Sequence, residues 1–123
     1  MNDDVDSQLA IIQAGVWDEA VFTTYALSLT FFESCLLPAL RHARCEKATI
    51  FADVDGYRST LMERRSVSAG REYLVVPVQV ERGIFHPKCT YLYGKERDAL
   101  LIGSGNLTFC VFHVIVTGDF TKA

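Results

Sequence analysis

A histidine and a lysine two positions apart, followed by a glycine-rich stretch, are the residues of this chain best suited to chemistry on a phosphate. His86 and Lys88 stand in the sequence Ile-Phe-His-Pro-Lys, and a Gly-Ser-Gly-Asn stretch begins fifteen positions after the lysine. Side chains two positions apart in a strand lie on the same face, so we expect the imidazole and the ammonium group to lie together. The pattern predicts a site for one phosphate.

A predicted β-hairpin separates the two clusters. Its strands cover residues 89–93 and 99–102, and the polar turn between them is Gly-Lys-Glu-Arg-Asp. Because the strands of a hairpin run antiparallel, the second strand returns the chain to the level of His86. We therefore expect the glycine-rich stretch to lie beside the histidine and the lysine.

The hydrophobic pattern predicts an α/β fold with a mixed central β-sheet flanked by helices, parallel in its first part and antiparallel in its second. Thr30 with Glu33 predicts a helix start, and Pro77 places its strand at an edge of the sheet or at a bulge. The predicted helices cover residues 7–14, 30–44 and 57–69, and the predicted strands cover residues 22–29, 48–52, 73–80, 89–93, 99–102 and 111–117. The predicted organisation is an acidic tail with a short helix, residues 1–20, followed by one domain, residues 21–123.

The two clusters and the order of elements around them resemble the phospholipase D superfamily. The common motif of that family is H-x-K-x4-D-x6-G-S-x-N. The wording F-H-P-K followed by G-S-G-N-L-T is most similar to its bacterial nuclease-like and helicase-associated branch. The resemblance covers roughly residues 20–109 and implies the fold of a phospholipase D-like half.

The resemblance also implies a reaction: cleavage of a phosphodiester through a covalent phosphohistidine, with no metal and no cofactor. His86 would be the nucleophile, since a neutral imidazole attacks phosphorus. The other catalytic candidates would stabilise the phosphoryl oxygens, and two glycines would let the backbone approach the phosphate. These residues are Lys88, Asn106 and Ser104 for catalysis, and Gly103 and Gly105 for phosphate binding.

The chain departs from the family pattern at several points. Tyr93 stands where the motif has its aspartate, and the hairpin is three residues longer than in the pattern, with Asp98 in its turn. The family's second motif and the supporting glutamate after the first motif are both missing from the sequence.

A single motif has a consequence for assembly, because the leaving oxygen needs a proton that the family takes from the histidine of a second motif. The resemblance therefore implies a homodimer, or a second half outside this sequence, that acts on nucleic acid. The alternative is a catalytically silent fragment, or a module that only binds phosphate or nucleic acid.

Composition limits the classes of protein. The chain has 123 residues and a net charge of −3, which suits one globular domain and argues against a strongly basic nucleic-acid binder. No apolar run reaches the roughly 18 residues of a membrane-spanning helix, and the first residues lack a secretory signal pattern. The four cysteines form no CxxC pair. We expect a cytoplasmic protein with reduced thiols and no membrane span.

A second pattern, Asp-Val-Asp-Gly, begins at Asp53 after a predicted strand. It is similar to the nucleophile loop of haloacid-dehalogenase-type phosphatases, although Tyr57 stands where those enzymes have a threonine or serine. The alternative for this segment is an ordinary solvated loop at a strand end.

A third pattern has the spacing of a zinc site. His86 and Cys89 are three positions apart, as are Cys110 and His113. Residues three apart in a strand face opposite sides, so this pattern predicts no metal site unless the strand bulges.

Overall fold

Six strands and the helices packed against them make up the described part of the computed structural model, which comprises residues 3–63, 69–103, Leu107 and residues 114–121. The strands are β1 Glu19–Thr24, β2 Lys47–Asp53, β3 Leu74–Val78, β4 Cys89–Tyr93, β5 Arg97–Gly103 and β6 Val114–Thr121. The helices are α1 Asp3–Ala14, α2 Leu29–Phe31, a π-helical turn Phe32–Leu36, α3 Leu37–His42 and α4 Val54–Glu63.

The sheet is mixed, as the sequence predicts, and its strand order is β3-β2-β1-β4-β5-β6. β1 pairs with β2, and β2 with β3, in parallel. β4 lies antiparallel to β1 on its other side, and β5 and β6 continue the antiparallel part. Pro77 lies in β3 at the edge of the sheet, where a residue without an N–H disturbs no further pairing.

Alternate side chains of the central strands form the core face of the sheet. Phe22, Ile50 and Leu92 are fully buried, one on each of three adjacent strands. The ring of Phe32 meets that of Phe22 edge to face with 5.3 Å between centroids, so the helical segment after β1 covers this face. This buried core supports the loops at the carboxyl ends of the parallel strands.

The helical segment after β1 begins at Leu29, and its capping residue is Ser28 instead of the predicted Thr30. Ser28 caps it, because its Oγ accepts the N–H of Phe31 at 3.1 Å. A π-helical turn precedes Pro38, whose ring nitrogen has no N–H for the regular helical pattern. The segment ends at His42, and Arg44 adopts the left-handed conformation with φ 64°.

β1 differs from the predicted strand over residues 22–29 because it begins and ends earlier. Thr24 ends it: its Oγ1 donates to the carbonyl of Ala26 at 2.6 Å and accepts the N–H of Leu107 at 3.1 Å. The apolar residues that follow are still core, since Leu27 and Leu29 are buried. The run was correctly predicted as buried, but its second half is loop and helix.

The other boundaries shift by a few residues. α1 starts at Asp3 rather than residue 7 and joins the same core, since Ile12 is fully buried and Gln8 Nε2 donates to Thr90 Oγ1 at 3.0 Å. α4 starts at Val54 rather than residue 57. The end of its predicted range falls partly on residues 64–68, outside the described part. β6 extends to Thr121, beyond the predicted end at residue 117. The division of the chain at residue 20 stays a prediction.

None of the helices described in residues 3–63 has the length and apolar character needed to cross a bilayer.

Candidate functional site

The segment of His86 and Lys88 meets the start of the glycine-rich stretch, Gly103, at the end of the central strands where β1 ends and β4 begins. β4 runs antiparallel to both neighbours, so its first residue, Cys89, pairs with Thr23 of β1 and with Ile102 of β5. The next residue of β5, Gly103, donates its N–H to the carbonyl of Lys88 at 3.1 Å. Ligand sites of α/β sheets commonly lie at the carboxyl ends of the parallel strands, and this site lies at such an end.

His86 and Lys88 are in direct contact. The Nζ atom of Lys88 lies 2.7 Å from Nδ1 and 2.9 Å from Nε2 of His86. An ammonium group only donates hydrogen bonds, and a ring nitrogen with a free lone pair can accept one. His86 is exposed and Lys88 is half-buried. An imidazole and an ammonium group therefore lie together at the protein surface.

The predicted placement of this pair within a strand is wrong. β4 begins at Cys89, and residues 84–88 belong to no strand. Pro87 has no N–H to give to a ladder, and the N–H of Phe85 donates to the carboxylate of Asp53 at 2.7 Å instead. The two side chains meet because Lys88 reaches back over the irregular segment, and not because a strand alternates its faces.

Gly103 is the described member of the glycine-rich stretch, and Ser104, Gly105 and Asn106 lie outside the described residues. The residues on either side of these three are both attached near His86. Gly103 bonds to Lys88, while Leu107 donates its N–H to Thr24 Oγ1 and accepts the N–H of Ser28 at 2.7 Å. Their chemical role, like that of the other candidates, stays a prediction.

Tyr25 is a neighbour of the histidine that the sequence did not point to. Its ring lies 5.5 Å from that of His86 between centroids, with 35° between the planes. The carbonyl of Tyr25 faces Gly56 so closely that a Cβ added there would lie 1.9 Å from the oxygen. The first turn of α4 therefore supports the loop that carries Tyr25.

Asp53 is buried, with 2% of its surface exposed, and both of its carboxylate oxygens accept backbone N–H groups. Oδ1 accepts from Phe85 at 2.7 Å, and Oδ2 accepts from Asp55 at 3.0 Å at the start of α4. The solvated loop expected as the alternative for the Asp-Val-Asp-Gly segment is thus wrong for Asp53. A carboxylate so enclosed and bonded is an anchor, and its geometry does not favour the phosphatase-type nucleophile.

The zinc pattern gains no support from the described half of its residues. The Sγ atom of Cys89 lies 3.1 Å from Thr23 Oγ1, and no cluster of potential metal ligands occurs among the residues that the structure describes. Cys110 and His113 lie outside those residues.

The described cysteines Cys35, Cys45 and Cys89 form no disulfide. Burial raises the pKa of the Cys45 thiol to about 11, and the nearby carboxylates of Glu19 and Asp18 add to the effect. Cys45 is therefore a protonated core residue at neutral pH and not a nucleophile.

Comparisons with known proteins bear on the fold. No family model and no curated protein matches the chain, whereas 28 chains of solved structures do. The fold is similar to that of NucT from Helicobacter pylori. The two share a TM-score of 0.55 at 11% sequence identity, over 96% of this chain and 77% of that chain. An identity this low shows the fold alone, and the fold is the α/β mixed sheet expected of a phospholipase D-like half.

Proposed function

We propose that this chain is a phospholipase D-like phosphodiesterase that cleaves nucleic acid without a metal, through a phosphohistidine on His86. The observation that carries the proposal is the contact of 2.7 Å between Lys88 Nζ and a ring nitrogen of His86, beside the point where Gly103 begins the glycine-rich stretch. The likeness in fold to NucT supports a phospholipase D-like phosphodiesterase.

The proposed reaction has two displacements at phosphorus. A ring nitrogen of His86 gives its lone pair to phosphorus, and the bond from phosphorus to the leaving ester oxygen breaks. The displaced oxygen takes one proton from an acid. Water then attacks phosphorus, the phosphorus–nitrogen bond breaks with its electron pair returning to the ring, and the proton lost by water restores the acid.

Lys88 stabilises the charge that gathers on the phosphoryl oxygens. A preorganised cation at this point stabilises the transition state more than it stabilises the substrate. The ammonium group leaves the lone pair of the ring nitrogen before that nitrogen attacks, and it then binds an oxygen of the same phosphate, since it starts in contact with the ring. Ser104, Gly105 and Asn106 supply further donors in this proposal, since the two residues that flank them are attached to the site.

The acid in this scheme is the histidine of a second motif, supplied by a second copy of the chain or by a separate half. A two-fold symmetric dimer would place two motifs face to face, each with its own His86. The proposal includes a cytoplasmic location, which fits the absence of disulfides among the described cysteines.

The experiment that tests the proposed function is hydrolysis of bis(p-nitrophenyl) phosphate in EDTA. The wild type is expected to release p-nitrophenolate, and His86→Ala to lose at least about 100-fold in kcat. His42→Ala is the matched control, because His42 is an exposed histidine at the end of α3, away from the site. Equal turnover in all three proteins would contradict the proposal. Phosphate binding without turnover would favour the silent module.

A further inference from the structure

We propose that Asp53 is the positioning residue for His86, acting through the backbone of Phe85. This inference rests on the proposed function, because the residue it positions is the proposed nucleophile. Asp53 ends β2, in the interior of the parallel part of the sheet, and it is almost completely buried. The carboxylate therefore belongs to the rigid part of the molecule.

The carboxylate joins two elements at once. Oδ1 accepts the N–H of Phe85 at 2.7 Å, which is the residue directly before His86, and Oδ2 accepts the N–H of Asp55 in the first turn of α4. A charged acceptor makes a stronger hydrogen bond than a neutral one, and burial strengthens it further. The segment that carries His86 belongs to no strand. The bond to Asp53 therefore holds the backbone of Phe85 in place, as the hydrogen bonds between paired strands would hold it in a sheet.

A second contact from the same corner reaches the imidazole ring itself. Gly56 of α4 packs directly against the carbonyl of Tyr25, and the ring of Tyr25 lies 5.5 Å from that of His86. The junction of β2 and α4 thus fixes the histidine twice, by its backbone through Asp53 and by its ring through Tyr25. Holding the nucleophile in this way lowers the part of the activation free energy that comes from orienting it.

The sequence lacks the two carboxylates that support the site in the family's motif, since Tyr93 replaces the aspartate and the glutamate is missing. Asp53 is an acidic side chain that the structure brings to the histidine segment by a different route. It bonds to the backbone of that segment and not to the ring.

The variant that separates the two bonds of Asp53 is Asp53→Ser. Serine caps helices well, so it keeps the bond to the N–H of Asp55, but its hydroxyl is too short to hold Phe85 as well. Asp55→Ser is the matched control: Asp55 is exposed, and only its backbone takes part in this junction. Asp53→Glu is the conservative variant, because its carboxylate keeps two acceptor oxygens, one for the N–H of Phe85 and one for the N–H of Asp55.

Two readouts are measured on the three variants and the wild type. The first is steady-state cleavage of the phosphodiester in EDTA. We expect Asp53→Ser to lose about 10- to 100-fold in kcat with KM changed less than about twofold, and Asp53→Glu to recover most of the loss. The second is NMR of the Phe85 amide and the His86 ring. We expect the amide to exchange faster and the ring signals to move in Asp53→Ser alone.

An Asp53→Ser protein with wild-type kcat, Phe85 protection and His86 signals would overturn the inference. If the wild type cleaves no phosphodiester, the proposed function fails, and the NMR readout then decides separately whether Asp53 positions His86. A loss of kcat in Asp53→Ser equal to that in Asp55→Ser would also overturn it, since the effect would then belong to α4 in general.

Discussion

Gly103 donates its N–H to the carbonyl of Lys88 across 3.1 Å, and this bond joins the two halves of the sequence pattern. The residues are fifteen positions apart, and the hairpin of β4 and β5 brings them together. The Gly-Ser-Gly-Asn stretch therefore starts beside the lysine that contacts His86. The function proposed for this chain depends on that junction.

Removing the ammonium group of Lys88 tests its role in charge stabilisation. Lys88→Ala is expected to lower kcat for phosphodiester cleavage by roughly 100- to 1000-fold, the effect typical of one lost transition-state donor. Lys95→Ala is the control, because Lys95 is exposed in the turn between β4 and β5. Steady-state kinetics in EDTA provide the measurement. A kcat within twofold of wild type in Lys88→Ala would exclude this role.

The need for a second histidine predicts that activity depends on assembly. If a second copy of the chain supplies the acid, turnover per chain is expected to fall on dilution over the same range in which light scattering shows the dimer dissociating. A constant turnover per chain in a solution of monomers would show that one motif suffices. An inactive, stable monomer would instead indicate a separate second half.

Gly56→Ala tests the close contact between α4 and the Tyr25 loop. Alanine favours helix by about 1 kcal/mol over glycine, so local propensity alone predicts a more stable protein. The added Cβ would lie 1.9 Å from the Tyr25 carbonyl oxygen, however, and relieving such an overlap typically costs about 1–3 kcal/mol or more. We expect the free energy of unfolding in urea to fall. Ser59→Ala, on the exposed side of α4, is the control, and a stabilised Gly56→Ala would show that the contact is absent.

The buried thiol of Cys45 predicts a pH dependence of stability. Its pKa rises from 9.0 to about 11 in the folded chain, so the unfolded thiol ionises first as the pH increases. The contribution of Cys45 is complete below pH 9 and is lost as the pH rises towards 11, which lowers the free energy of unfolding over that range. Urea unfolding of wild type and Cys45→Ala across this range measures the difference, with Cys35→Ala as the control. The same slope in all three proteins would contradict the assignment.

Most of the sheet could be predicted from sequence because its signals are local. Apolar runs on either side of a polar turn indicate β4 and β5, and Pro77 indicates an edge strand or a bulge. The end of β1 could not be predicted, since Thr24 bonds to Leu107, 83 positions away. Apolar residues continue past that point and conceal the end of the strand.

In the candidate site, too, local features could be predicted from sequence and contacts between distant residues could not. His86 and Lys88 are in contact as expected, but the expected cause, a shared strand face, was wrong because residues 84–88 form no strand. Only one of the two bonds of Asp53 could be predicted: an aspartate before a helix is a typical cap, but its bond to Phe85 spans 32 positions and leaves no local signal. The contact of Tyr25 with His86 joins the loop after β1 to the segment before β4, so it depends on the complete fold.

The most direct test of the central claim is to trap the covalent intermediate. Wild-type protein is mixed with a radiolabelled oligonucleotide in EDTA, quenched in alkaline denaturant, digested and mapped by mass spectrometry. The account predicts an adduct on His86 that is stable in alkali, is released in acid, and is missing from His86→Ala while His42→Ala retains it. Cleavage by the wild type with the adduct on another residue, or with no adduct at all, would contradict a phosphohistidine on His86.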